Sequence, residues 1–323
     1  GKIIIVNSQA KNILGIEGKK TQKKDYEKLI ENKKIKMIIF SLLNEKKSIA
    51  DEILIKNGDS SKVILFSGTL LLNSYKQSIG SLFVLRDITH LRFLEKVKTN
   101  FVANVSHELK TPVTAIQGFV EALLSSEFNH NQDAQNFLDI IKKQSGRLDA
   151  IIDDLLMLSR LEQTDVKVFV KDKNILNVIN NSINLVQLLL NEKKVNLNVE
   201  CNKELHWNIN SSLIEHALVN LITNSIKYSD SYVNIDIKAK KYKNNLRISI
   251  IDNGFGIEKN DIPRLFERFY RSSSGRITDK KGTGLGLSIV KHIVQVHSGI
   301  INIDSKVGIG TTFKITIPFL EPS

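Results

Sequence analysis

Apolar residues recur at three- and four-residue steps through two long stretches in the middle of the chain. Over much of the last third they recur at two-residue steps instead. From Arg86 to about Ser126 the pattern predicts one long helix, in which Leu91, Leu94, Phe101 and Val105 keep coiled-coil-like spacing interrupted by Lys98. Ile116, Phe119, Val120 and Leu123 continue its apolar face. A second helix is predicted through Phe137, Ile141, Leu148, Ile151, Leu155 and Leu158, with the polar stretch Ser125–Asp133 as the turn between the two. Two helices with such wide apolar faces cannot bury them alone, whereas pairing with a second copy into a four-helix bundle would.

The ends of the chain read differently. Residues 1 to about 88 mix short β-rich runs (Ile3–Val6, Met37–Phe40, Val63–Leu70, Ile79–Leu85) with polar and helical intervals. Beyond residue 165, strands are predicted at Val195–Glu200, His206–Ile209, Val233–Ala239, Leu246–Asp252, Ile300–Ser305 and Thr312–Pro318, with helices at about Ile175–Asn191, Ser212–Ser229 and Leu285–His297. Their order is too irregular for a doubly wound sheet. Three segments follow: 1–88, 89–164 and 165–323.

Two clusters carry chemistry. The first is FVANVSHELKTP, Phe101–Pro112. Glu108 follows His107 directly and can hold the ring Nδ1–H, leaving Nε2 as the nucleophile. Thr111 lies at i+4, on the same helix face, and Pro112 should bend the helix just past the reactive residue. A metalloprotease would need a second histidine where Thr111 stands. The second cluster comprises Asn220-Leu-Ile-Thr-Asn224-Ser-Ile-Lys227-Tyr228, then Asp252-Asn-Gly254-Phe-Gly256, then Gly282-Thr283-Gly284-Leu285-Gly286. On a helix, His216, Asn220, Asn224 and Tyr228 form one i+4 stripe with Lys227 beside it. Amide oxygens suit Mg²⁺, which binds through waters and substrate phosphates. A carboxylate after the strand RISIID can accept from an exocyclic amine, and the glycines let a base approach the backbone. The glycine-rich turn before a helix offers N–H groups to phosphates.

In this order and spacing, the two clusters closely resemble the sensor histidine kinases of bacterial two-component systems. The matching stretches are an H-box at His107, an N-box at Asn220–Tyr228, a G1-box at Asp252–Gly256, an F-box at Pro263–Arg271 and a G2-box at Gly282–Gly286. The helix pair looks most like the phosphate-regulon sensor and related cell-envelope sensors of low-GC Gram-positive bacteria. The opening IIIVNSQAKNILG and the closing Asp87-Ile88-Thr89 resemble a PAS sensor domain with its exit motif, its usual first strand lying before Gly1. Ligand sensing and a ligand-free dimerising scaffold are both open for that segment. Two positions depart from the family pattern, which often has Asp where Asn210 stands and Gln where His216 stands.

The resemblance implies a multidomain α+β protein: a PAS-like sensor, a helical hairpin forming a dimeric four-helix bundle, and an α/β sandwich shared with gyrase and heat-shock-chaperone ATPases. It implies ATP and Mg²⁺, with Asp252 on the adenine amine and Asn224 on the metal. Lys227, Arg271 and the Gly282, Thr283, Gly284, Leu285 and Gly286 loop take the phosphates; Asn220, Tyr228, Gly254 and Gly256 complete the pocket. The segment between Arg271 and Gly282 is expected to be a mobile flap over the nucleotide. His107 would take the γ-phosphoryl group and pass it to an aspartate of a cognate response regulator docked near Ile116 and Phe119. In this family, Thr111 in H-E-x-x-T marks kinases that also dephosphorylate that regulator.

Composition narrows the alternatives. At 323 residues, 41% hydrophobic and 25% charged, the chain is ordinary for a globular protein of two or three domains. The single Cys201 excludes an internal disulfide, and buried packing is its expected role. The net charge of +12 raises nucleic-acid binding. Through Ile88 there are 16 Lys or Arg against 9 Asp or Glu, scattered without an aromatic-interleaved stripe, which argues against a nucleic-acid partner. No apolar run reaches the ~18 residues of a membrane span. The abrupt opening at Gly1-Lys-Ile-Ile-Ile suggests the cytoplasmic piece of a longer sensor with a membrane anchor upstream. Gyrase- and chaperone-type ATPases lack a phosphoacceptor helix, and serine/threonine kinases would show H-R-D and D-F-G.

Overall fold

The computed structural model describes residues 1–45, 47–57, 60–125, 131–162, 171–230, 232–272 and 282–321. They form two compact units, Gly1–Val102 and Ala103–Ser323.

The first unit opens with α1 (Ser8–Leu14), α2 (Tyr26–Leu29) and α3 (Lys33–Glu45), followed by β1 (Ile49–Asn57), β2 (Ser60–Leu72), β3 (Ser78–Asp87) and the first part of α4 (Thr89–Ser125). The strands make an antiparallel sheet in the order β1-β2-β3. Two of the expected strands are absent. Met37–Phe40 looks β-rich in isolation, but Ile35, Ile38, Ile39 and Leu42 fall on one helical face and are buried, while Met37 and Phe40 face solvent. The wider period wins, and the segment is the middle of α3. Around Ile3–Val6 there is only a single bridge, Lys2 to Asp25, and Ile4 and Ile5 are exposed. Tyr26, Ile30, Ile53 and Phe66 join α3 in the core of this unit. At its exit Asp87 accepts from the Thr89 N–H at 3.0 Å, Thr89 Oγ1 accepts from Val63 N–H at 2.9 Å, and Arg92 pairs with Glu52. The start of α4 is thereby fixed to the sheet.

In the second unit α4 continues to Ser125 and α5 spans Asn131–Leu161. Helical assignment in α4 runs through Pro112. Phe119 and Phe137 meet across the pair with ring centroids 5.3 Å apart. The expected turn at Ser125–Asp133 falls largely outside the described residues. Next come β4 (Lys171–Asn174), α6 (Ile175–Leu185), α7 (Gln187–Glu192), β5 (Asn196–Cys201), β6 (His206–Ile209), α8 (Ser211–Lys227), β7 (Asn234–Tyr242) and β8 (Asn245–Asp252). After a 3₁₀ turn at Ile262–Arg264 follow α9 (Gly286–Val296), β9 (Ile300–Lys306) and β10 (Gly310–Pro318). The single helix expected over Ile175–Asn191 is two helices, parted at Val186. β4, which pairs with β6, was not foreseen: four polar residues, KDKN, carry no apolar alternation.

The five-stranded sheet has the order β5-β7-β8-β10-β9, with β5 parallel to β7 and the other pairs antiparallel. Strand alternation buries Ile235, Ile237 and Ala239 of β7, Leu246, Ile248 and Ile250 of β8, and Phe313, Ile315 and Ile317 of β10. Buried residues of α6, α8 and α9 complete this core. Cys201 ends β5 half-buried rather than enclosed, and burial pushes its thiol up.

Candidate functional site

The same alternation that buries Leu246, Ile248 and Ile250 puts Asp252 on the core face, 9% exposed, where a hydrophobe would ordinarily stand. Ser225 of α8 donates to its Oδ2 at 2.9 Å. The N–H groups of Gly254 and Thr311 donate to Oδ1 at 2.9 and 3.1 Å. Burial pushes the carboxyl above the ordinary range, and these three donors pull it partly back. A carboxylate offers about four lone-pair sites, so the group keeps capacity for an external donor.

Asp252 lines a cavity of about 330 Å³. Its wall includes Asn220, Asn224 and Lys227 of α8 and Tyr228 at its C-cap, Gly256, Tyr270 and Arg271, and Gly282, Thr283, Gly284 and Gly286. Of the expected i+4 stripe, Asn220, Asn224 and Tyr228 line this cavity with Lys227, and His216 does not. Asn210 caps α8, its Oδ1 accepting from Leu213 N–H at 3.1 Å, a task that an Asp would perform equally. Asn220 donates to the His216 carbonyl at 3.1 Å. Lys227 Nζ sits 5.1 Å from the centroid of the Tyr228 ring. Burial raises the Tyr228 hydroxyl pKa, and Arg271 opposes the shift.

The glycine turns are shaped by close approach. Gly256 has φ 71, and a Cβ there would overlap the Lys306 carbonyl. Gly284 also has φ 71, and a Cβ would lie 2.8 Å from Phe269 Cα. Phe269 N–H donates to the Gly284 carbonyl at 2.9 Å, so the F-box and the glycine loop are held together. Phe269 itself takes a left-handed φ of 61, a conformation that costs a non-glycine residue about 1–2 kcal/mol. Two residues expected at the pocket are not on its wall. Leu285 is fully buried and its N–H is taken by Thr283 Oγ1 at 3.2 Å, while Gly254 serves Asp252. The expected flap between Arg271 and Gly282 lies mostly outside the described residues.

The phosphoacceptor candidates sit on α4. His107 and Thr111 are exposed, and Pro112 is buried. Glu108, expected to hold the ring Nδ1–H, is instead paired with Arg147 of α5 at 2.8 Å. The guanidinium is the stronger donor, and the pair is shielded by the helix–helix contact. Arg147 carried no signal in the sequence, since a lone basic residue on a helix is usually solvated. Thr111 Oγ1 donates back to the His107 carbonyl at 3.0 Å. Asp154 of α5 was also missed: it accepts from the Thr283 hydroxyl at 3.0 Å.

A carboxylate lining a glycine-shaped cavity and a histidine helix in the same unit agree with what the chain is similar to. The His Kinase A (phospho-acceptor) domain matches residues 97–164, and the Histidine kinase-, DNA gyrase B-, and HSP90-like ATPase domain matches residues 209–321. Together they take in more than half of the chain. The chain belongs to the sensor histidine kinases of bacterial two-component systems. It is 29% identical over 333 residues to the sensor histidine kinase WalK of Bacillus subtilis (strain 168), covering 99% of this chain and 52% of WalK. It is 34% identical over 232 residues to the phosphate regulon sensor protein PhoR of Pseudomonas aeruginosa, covering 72% of this chain and 52% of PhoR. The chain thus spans about half the length of these curated relatives. Among solved structures, the histidine kinase ThkA in complex with the response regulator protein TrrA shares the fold with a TM-score of 0.58 at 20% identity, over 99% of this chain and 93% of ThkA. Among the described residues, no helix is long and apolar enough to cross a membrane.

Proposed function

We propose that the chain is an ATP-dependent protein-histidine kinase that phosphorylates its own His107 and passes the phosphoryl group to an aspartate of a response regulator. The observation that carries this reading is the buried Asp252 lining one cavity with Asn224, Lys227, Arg271 and residues of the Gly282–Gly286 loop, in one unit with the exposed His107. An acceptor carboxylate, two cations and a glycine turn lining one cavity fit a nucleoside triphosphate, with its amine on the carboxylate and its phosphates on the cations and the turn. Asn224 lies on the same wall, and its amide oxygen is a hard donor of the kind that suits Mg²⁺. When bound, that ion would neutralise charge on the phosphates.

His107 Nε2 attacks the γ-phosphorus; the N–P bond forms as the bond to the β,γ-bridging oxygen breaks, and ADP leaves. Catalysis rests on alignment and on charge neutralisation by Lys227 and Arg271. Glu108, drawn off by Arg147 as it stands, would have to exchange partners to stabilise the imidazolium. Thr111 would orient water for regulator dephosphorylation once its hydroxyl leaves the His107 carbonyl.

The segments 1–88, 89–164 and 165–323 would serve as PAS-like sensor, dimerising phosphotransfer hairpin and ATP-binding domain. A helix-flanked antiparallel sheet supports the first assignment. The exposed Val113, Val120, Leu138 and Leu156 on the hairpin support a homodimer. The sensor names of the relatives support a cytoplasmic position in a membrane-anchored receptor. The test is incubation with γ-labelled ATP. His107→Gln should lose all acid-labile, alkali-stable label while keeping nucleotide affinity; label retained on that variant would refute the assignment.

A further inference from the structure

The C-terminal half of α5 grips the rim of the nucleotide cavity through side chains that the kinase reading does not use. Asp154 Oδ2 accepts from the Thr283 hydroxyl at 3.0 Å, and Thr283 is part of the cavity wall. Two turns further on, Glu162 pairs with Arg268, in the segment that leads directly to the cavity residues Tyr270 and Arg271. Glu162 also lies 3.4 Å from His292 Nε2 of α9, the helix that follows the glycine loop. Alongside these polar contacts, Ile151, Leu158 and Leu161 of α5 are buried. The basic side chain near Asp154 is His216; burial lowers the pKa of that ring and raises that of the Asp154 carboxyl, which the Thr283 hydroxyl and His216 pull partly back. An anion claims a hydroxyl on the loop that would receive phosphates. The glycine loop and the stretch before Arg271 are thus tied to α5 and to the residue that directly follows it.

We propose that Asp154 and Glu162 form a clamp that discriminates between nucleotides: while it is closed, the cavity accepts a nucleoside diphosphate but resists the triphosphate. The physical cause is competition. A third phosphate adds negative charge near a loop already held by the Asp154 carboxylate, and the like charges repel. By linkage, whatever closes the clamp weakens triphosphate binding, and triphosphate binding opens the clamp. Opening would release the ATP-binding region from α5. Asp154 and Glu162 are positioning residues, acting through Thr283, Arg268 and His292. This inference rests on the nucleotide site of the kinase reading but not on phosphoryl transfer.

The test compares affinities for ADP and for a non-hydrolysable ATP analogue, by competition with a fluorescent nucleotide, in the full chain. Asp154→Asn keeps an acceptor for Thr283 but removes the charge. It should tighten the analogue roughly three- to tenfold relative to ADP. Glu162→Gln should shift the ratio the same way. Glu162→Arg combined with Arg268→Glu should restore the pair and return the ratio toward wild type. Glu162 is exposed enough for its variants to report even where Asp154→Asn loses stability. An unchanged ratio in the variants, or one that moves toward ADP, overturns the clamp, as does a charge swap that stays at the Glu162→Gln value. Wild-type protein that binds nucleotide but never labels His107 would refute the kinase reading alone, because the affinity ratios need no transfer.

Discussion

Asp252 carries the largest demand on a single side chain. Burial raises its pKa, and an adenine amine needs the anion, so nucleotide affinity should fall on acidification earlier than an ordinary carboxylate would allow. In a calorimetric titration series, the affinity of wild type should weaken as pH drops from neutral toward that raised pKa. Asp252→Asn should be weaker at neutral pH by about 1.5–3 kcal/mol, with a flat pH profile, so that the gap closes on acidification. A pH-independent wild type would count against the adenine role. Thr111 poses the opposite problem, because its hydroxyl already has a partner in the His107 carbonyl. Thr111→Ala should abolish regulator dephosphorylation and spare His107 labelling. If both activities fall together, the back-bond is shaping the helix and the water-orienting role is lost.

At the scale of the element, α8 is the piece on which the pocket depends, and its N-terminus is fixed from a distant part of the chain. His297, 0% exposed, accepts from the Asn210 N–H through Nε2 at 3.0 Å, with Nδ1 2.7 Å from the Ile293 carbonyl. Acceptance at Nε2 requires the neutral ring; burial lowers its pKa, and the Nδ1–H bond to the Ile293 carbonyl offsets this only in part. The sign follows: below the unfolded value of about 6.5 the unfolded chain binds a proton that the folded ring refuses. Stability is therefore lost as pH falls through that value and fully present above it. The melting temperature should drop between pH 7.5 and pH 5.5, with less pH dependence in His297→Gln. A change of equal size in both proteins would show that another group is responsible. Neither the ring's partner nor its burial is legible from the sequence, where His297 is one more residue at a helix end.

For the molecule as a whole, the decisive feature is apolar surface that one chain leaves uncovered. Val113, Val120, Leu138, Ile152 and Leu156 of α4 and α5 are more than a third exposed. A second copy would cover them, and burying each large aliphatic side chain contributes roughly 1.5–3 kcal/mol. Val120→Asp with Leu138→Asp should therefore weaken self-association by at least about a hundredfold in sedimentation equilibrium, as two buried contacts are replaced by charges. A dimer of unchanged affinity would mean that the hairpin is not the interface.

Periodicity alone located α4, α5, α8 and the strands of the five-stranded sheet, because amphipathic spacing records which face is buried. The motifs likewise marked Asp252, the α8 stripe and the glycine loop: a carboxylate on the core face and glycines at left-handed positions are local requirements. Met37–Phe40 was misread because four residues cannot distinguish a strand from the buried side of a longer helix. β4 was invisible because its pairing with β6, and not its own composition, makes it a strand. The partners of Glu108 and Asp154 belong to the same class of decision. Arg147 and Thr283 lie 39 and 129 residues away along the chain, and only the packing of α5 against α4 and against the nucleotide loops brings them within hydrogen-bonding reach.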